Sequence, residues 1–135
     1  MTIKEFFGRD RYAALAGIEL LEVEPGRARA RMEIGEKHLN AGNTVQGGAI
    51  FTLADLAFAA AVNAYGNLAV SIETSIRYFK GTEKGTLFAD ARALHVHKKL
   101  ATFEVRVSDE HDELVALFTA TAFRKDIPLE FETGT

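Results

Sequence analysis

The chain has 135 residues, of which 47% are hydrophobic and 26% charged, and a formal net charge of −3. That is enough for one domain with a proper core, and the slight acidity gives no general reason to attract nucleic acid or an anionic membrane. There is no cysteine, which excludes disulfides, thiolate catalysis and zinc–thiolate sites.

Residues 1–135 read as a single domain, free of linkers, repeats and low-complexity stretches. Residues 1–16 form an N-terminal helical segment, with a short helix or helical turns over 3–15. This end carries Glu5 and Asp10 and has no apolar core of signal-peptide length, so a cytoplasmic protein is expected. Gly17–Val23 and Arg27–Ile34 read as strands joined by a Pro25-Gly26 turn. The second alternates cleanly, with Arg27, Arg29, Arg31 and Glu33 on one face and Ala28, Ala30, Met32 and Ile34 on the other.

Residues 35–46 are loop-like. A helix then runs from Gly47 to Tyr65 and ends at Gly66-Asn67. It is apolar almost all the way round, which predicts burial. Its apolar part is short for a membrane span and holds Asp55 and Asn63.

Four more strands follow. Leu68–Phe79 is expected to put Leu68, Val70, Ile72, Ile76 and Tyr78 on one face, and Ser71, Glu73, Ser75 and Arg77 on the other. Thr86–Lys98 changes phase near Ala93-Leu94, which predicts a bulge. Ala101–Ser108 points Phe103, Val105 and Val107 inward. Leu114–Arg124 is the last strand, and residues 126–135 read as a loose tail. Short links between strands predict an antiparallel sheet. The expected fold class is therefore α+β, one long central helix against the concave face of a curved sheet of about six strands. A small barrel closed around the helix is the alternative.

Between Lys37 and Glu73 the only formal charge is Asp55, in the middle of the apolar helix. A buried carboxylate is paired, protonated or put to chemical use. It is either a functional group or a structural carboxylate bonded to a strand serine. The helix starts with Gln46-Gly47-Gly48. Its first N–H groups lack intrahelical partners and lie at the positive end of the dipole. Glycines there let a ligand oxygen approach the backbone, or they merely pack against a strand. Asp55 lies eight residues beyond Gly47, roughly 12 Å at about 1.5 Å per residue. One small reacting group cannot touch both in the same chain. If both act at one site, two helices lie antiparallel across a two-fold axis, in a homodimer with two equivalent sites.

His38-Leu39-Asn40, Gln46-Gly47-Gly48 through Asp55, and Val70-Ser71-Ile72 together closely resemble the hotdog-fold acyl-CoA thioesterases of the phenylacetic-acid-degradation (PaaI-like) type. The resemblance runs from Phe6 to about Arg124. It implies a hotdog fold paired into a homodimer and commonly a homotetramer, a dimer of dimers. It implies an acyl-CoA substrate, and catalytic roles for Asp55, Gly47, Asn40 and Ser71. The Gly47 N–H, helped by Asn40, would bind the thioester carbonyl. Asp55 of the partner subunit would be nucleophile or general base, and Ser71 would orient the water. Gln46, Gly48 and His38 would contact substrate. No metal or other cofactor is expected, and no nucleic-acid or membrane partner.

The family usually carries His where this chain has Gln46. Glutamine bonds but does not titrate, which keeps two other readings open: a non-catalytic acyl-CoA-binding module, and a hotdog dehydratase or hydratase. Lys80, Arg77, Lys98, Lys99, Arg124 and Lys125 are candidates for a basic rim. Phe6, Phe7 and Tyr12 are candidates for the wall of an acyl pocket. His95 and His97 read as a solvated face.

Overall fold

Six strands build one antiparallel sheet that curves around one long helix in the computed structural model, which describes residues 1–132. In chain order the elements are α1 (Ile3–Phe7), α2 (Arg11–Leu15), β1 (Ile18–Glu24), β2 (Arg27–Glu33), α3 (Gly47–Asn63), β3 (Asn67–Tyr78), β4 (Thr86–Val96), β5 (Leu100–Ser108) and β6 (Leu114–Pro128), with a single 3-10 turn over Glu36–His38. The strand order is β1-β2-β4-β5-β6-β3. The sheet is open, with β1 and β3 at its edges, so the barrel alternative is not formed.

The buried face of α3 carries Leu53, Ala54, Ala57, Phe58, Ala60 and Ala61. Small inward residues on the facing strands, Ala28 and Ala30 of β2 and Ala89 and Ala91 of β4, let the helix lie close to the sheet. Phe58 meets Phe103 edge-on, with ring centroids 5.6 Å apart. Two polar features fasten the far end of α3. The Gly26 N–H donates to the Ala61 carbonyl at 3.0 Å, and a β-carbon on Gly26 (φ +85°) would stand 2.5 Å from the Tyr65 hydroxyl. Buried Asn63 donates to the Ala59 carbonyl at 2.8 Å and accepts from the Ala69 N–H at 2.9 Å, joining the helix to β3.

The expected faces of β3 are wrong over its first half. The β3–β6 register shifts between Ser71 and Glu73, with Ile72 as the extra residue. Before the bulge, Ala69 and Ser71 share the concave face, Ser71 opposite buried Ala122, while Val70 lies outside opposite Phe123. After it, Thr74, Ile76 and Tyr78 point inward. Val70 and Ile72 are therefore exposed on an edge strand. The phase change expected in β4 does occur, between Ala93 and His95.

The loose tail is also corrected. Pro128 pairs with Asn67, because β3 starts early enough to give the end of β6 a ladder partner. Beyond it, the Leu129 N–H donates to the Gly66 carbonyl at 2.7 Å, and the Glu132 N–H to the Met1 carbonyl at 3.1 Å. Residues 133–135 of the expected tail lie outside the described residues. Among the described residues no helix is long and apolar enough to cross a membrane.

Candidate active site

The start of α3 is held by the residue that departs from the family pattern. Gln46 is the N-cap. Its backbone N–H donates to the His38 carbonyl at 2.7 Å, and its side-chain Oε1 accepts from the Gly48 N–H at 2.7 Å. The Ala49 and Ile50 N–H groups both reach the Gln46 carbonyl. Of the first four helical N–H groups, that leaves the one of Gly47 without an acceptor among the described residues.

Both glycines stand against the ends of neighbouring side chains. A β-carbon on Gly47 would stand 3.0 Å from Cζ and Oη of Tyr78, and one on Gly48 would stand 2.5 Å from Gln46 Oε1. Tyr78 donates its hydroxyl to the Gly47 carbonyl at 2.9 Å. Tight packing and a free donor, alternatives in the sequence, thus coexist at Gly47.

Asn40 shapes the preceding loop. Its Oδ1 accepts from the Gly42 N–H at 2.9 Å and the Thr44 N–H at 3.2 Å. Its amide N–H groups have no acceptor among the described residues, so they can still donate to a ligand. His38, expected to contact substrate, is held by the backbone. It is 4% exposed, and both its ring nitrogens are spent on backbone. Nδ1 accepts from the Gly35 N–H at 2.9 Å, which makes Nε2 the protonated nitrogen that donates to the Ala16 carbonyl at 2.6 Å. The ring ties the end of α2 to the loop carrying Asn40.

Asp55 is half-buried, and no donor among the described residues reaches its carboxylate. The strand-serine partner weighed from the sequence is not there. Burial pushes its pKa above the usual carboxylate range, and the negative charge of Asp10 adds to the shift. Asp55 lies on a narrow stripe with Gly48, Thr52 and Ala59, the part of α3 that the sheet leaves least covered. Ser71 sits at the β3 bulge on the concave side of the sheet's edge, exposed. Because α3 is unbroken from Gly47 to Asn63, the Gly47 N–H and Asp55 of one chain remain roughly 12 Å apart.

Residues 42–116 match the Thioesterase superfamily. A relative from Archaeoglobus fulgidus is 38% identical over 130 residues, spanning 93% of this chain and 84% of its own. The chain belongs to the thioesterase superfamily. The acyl-coenzyme A thioesterase PaaI of Escherichia coli is 30% identical over 87% of this chain and 85% of its own. The solved structure of the E. coli PaaI protein superposes with a TM-score of 0.88, covering 93% of this chain and 92% of that one at 28% identity. A Streptococcus mutans protein solved bound to acetyl CoA superposes with a TM-score of 0.79, covering 84% of this chain and 91% of that one at 28% identity. The expected hotdog fold and thioester-hydrolase class are thereby established.

Several candidates around the thioesterase site resolve differently. Lys80 is not a free cation. It bonds Asp109 and Glu113 at 2.8 Å each, and its ammonium, with backbone N–H groups of Glu113 and His111, lowers the Asp109 pKa to about 2. Arg124 donates to the His97 carbonyl at 2.6 Å and lies over the Tyr65 ring. The rings of His95 and His97 lie 4.1 Å apart, and among the described residues no third ligand completes a metal-binding group. Phe6 packs on Phe7 and Phe131. Sequence reasoning missed Tyr78 and Asp10. Asp10 was legible as an N-cap three residues before Ala13, whose N–H it accepts at 3.0 Å, but nothing local placed it near Asp55.

Proposed function

We propose that this thioesterase hydrolyses the thioester of a small, medium-chain or aromatic acyl-CoA, at two equivalent sites in a homodimer. One observation carries the reading: an unpaired helix-terminal N–H and an unpaired, half-buried carboxylate lie on one helix, roughly 12 Å apart. Antiparallel packing of two copies of α3 would bring the Gly47 N–H of one protomer opposite the partner's Asp55. The open stripe of Gly48, Thr52 and Ala59 lets two helices approach closely. The unpaired edge of β3, with Val70 and Ile72 exposed, offers a surface for the same two-fold contact. Pairing of two such dimers into a tetramer, and a cytoplasmic setting, belong to the same reading. The acyl-CoA thioesterase PaaI and the acetyl-CoA complex among the relatives support coenzyme A as the carrier.

The Gly47 N–H, with the Asn40 amide, would hold the thioester oxygen as it gains charge. Asp55 of the partner subunit either takes a proton from water, which attacks the carbonyl carbon, or attacks that carbon itself to form an anhydride that water then cleaves. In the first route the proton that Asp55 takes from water passes to the sulfur as the C–S bond breaks; in the second the C–S bond breaks as the anhydride forms, and the departing thiolate takes its proton from solvent water. Ser71 would orient the water. No step calls for a metal or a prosthetic group. Gln46 serves the site as a cap, and a cap need not titrate.

The test is thiol release from a panel of acyl-CoAs by the native protein and by Asp55→Asn. Turnover that the variant loses, with its dimer intact by analytical ultracentrifugation, is the expected result. An Asp55→Asn enzyme as fast as the native one removes the assignment.

A further inference from the structure

One peptide group at the start of α3 is gripped at both ends by side chains. The Gly47 carbonyl accepts the Tyr78 hydroxyl at 2.9 Å, and the Gly48 N–H of the same peptide donates to Gln46 Oε1 at 2.7 Å. Only the Gly47 α-carbon separates this peptide from the unpaired Gly47 N–H. We infer that Tyr78 is a positioning residue of the thioesterase, whose hydroxyl holds the first turn of α3 so that the Gly47 N–H stays aimed at the thioester oxygen. The inference rests on the hydrolase reading above, and Tyr78 acts through the Gly47 peptide rather than on the reacting atoms.

The backbone is the first reason. Two consecutive glycines are the most freely turning residues a chain can carry, and here they stand where a helix has the fewest bonds of its own. That freedom lets a ligand oxygen come close, but it also lets the N–H wander. An oxyanion donor works by being aimed before the charge develops. The second reason is where the tether starts. Tyr78 ends β3, the edge strand that carries Ser71 and offers the two-fold contact. A site shared between protomers needs α3 fixed to that strand, and the Tyr78 hydroxyl joins the two directly. The connection after Tyr78 adds a second tie, because the Thr82 carbonyl accepts the Val45 N–H at 2.8 Å. Lys80 anchors this connection to Asp109 and Glu113, at 2.8 Å each. The chain is thus held on both sides of Gln46. The third reason is that the core does not need this hydroxyl. Tyr78 is exposed, and it is the end of its ring that meets Gly47. Partial burial pushes its pKa above the usual tyrosine value, so it remains a donor at neutral pH.

Tyr78→Phe removes the hydroxyl and keeps the ring. With an acyl-CoA that the native protein hydrolyses, kcat should fall about tenfold, inside the ~10²-fold that a misplacement of about 1 Å can cost, with KM within about twofold of native. Two ligands that are not hydrolysed separate aiming from folding. A trifluoromethyl-ketone analogue of acyl-CoA, hydrated to a tetrahedral carbon, uses the aimed donor. A hexyl thioether of CoA has no carbonyl and does not. Calorimetry should show the ketone weakened about tenfold in the variant and the thioether unchanged. A variant with native kcat overturns the inference, and so does equal weakening of both ligands. Amide hydrogen exchange reads the tether without any ligand. The Ala49 and Ile50 N–H groups, which close the first turn on the Gln46 carbonyl, should exchange about tenfold faster in the variant, with β5 protected as in the native protein. Faster exchange across the whole sheet overturns the inference, because the hydroxyl would then serve stability at large. A native chain that releases no thiol sinks the hydrolase reading, and the two ligands still decide on Tyr78. A working hydrolase indifferent to the substitution sinks this inference alone.

Discussion

Replacing Gly47 with proline would delete the proposed oxyanion donor and almost nothing else. Gly47 opens α3, where a proline is well accommodated, because the lost N–H has no intrahelical partner and the ring's φ suits a first turn. The residue before a proline must be extended, and Gln46 already is, at φ −63° and ψ 135°. The Gly47 carbonyl remains for the Tyr78 hydroxyl. The one crowded atom is the new β-carbon, 3.0 Å from the ring end of Tyr78, a residue 48% exposed and with room to give. The fold should survive, with circular dichroism and thermal midpoint near those of the native protein. kcat should fall about 10²- to 10³-fold, the ~2.7–4 kcal/mol that one oxyanion donor contributes. The stronger test mixes this variant with Asp55→Asn by co-refolding. Random pairing makes half the dimers mixed, and each mixed dimer joins one intact Gly47 to one intact Asp55 at one of its two sites. Two nearly inactive proteins would together recover about a quarter of native activity. No recovery in a pool whose mixed dimers are visible by native mass spectrometry would refute the cross-subunit site.

Three further outcomes follow from named contacts. The raised pKa of Asp55 means that the folded chain holds its proton more tightly than the unfolded one, so stability falls as pH rises from the usual carboxylate range, about 4, through the raised value. Asp55→Asn should therefore unfold at higher urea than the native protein at pH 8, with the gain vanishing below about pH 4. Asp10→Asn keeps an N-cap on α2 but removes a like charge near Asp55, so the acid limb of the kcat profile should move to lower pH with the circular dichroism unchanged. His38→Ala leaves the Gly35 N–H and the Ala16 carbonyl without their partner, and urea denaturation should show a loss of about 1–3 kcal/mol.

Much of the architecture could be read from the chain alone because its causes are local. The alternation of Arg27 to Ile34 gave one half-buried strand, and the parity change at His95 gave the β4 bulge. The uninterrupted apolar run after Gly47-Gly48, holding a single carboxylate, gave both the buried helix and the residue to watch. The spacing of Gly47 and Asp55 followed from helical rise, so the demand for a second subunit could be stated before any coordinates. The β3 faces could not be read in this way. A bulge is a relation between two strands, and nothing within Leu68–Phe79 marks Ile72 as the residue that β6 leaves unpaired. The same holds at the site. Whether Asp55 finds a serine, where the ring nitrogens of His38 bond, whether Lys80 is free, and what a side chain at Gly47 would meet all depend on residues distant in sequence. Local periodicity sets which face of an element is apolar. Only the packed structure decides which polar groups on it are left without a partner, and those are the groups available for chemistry.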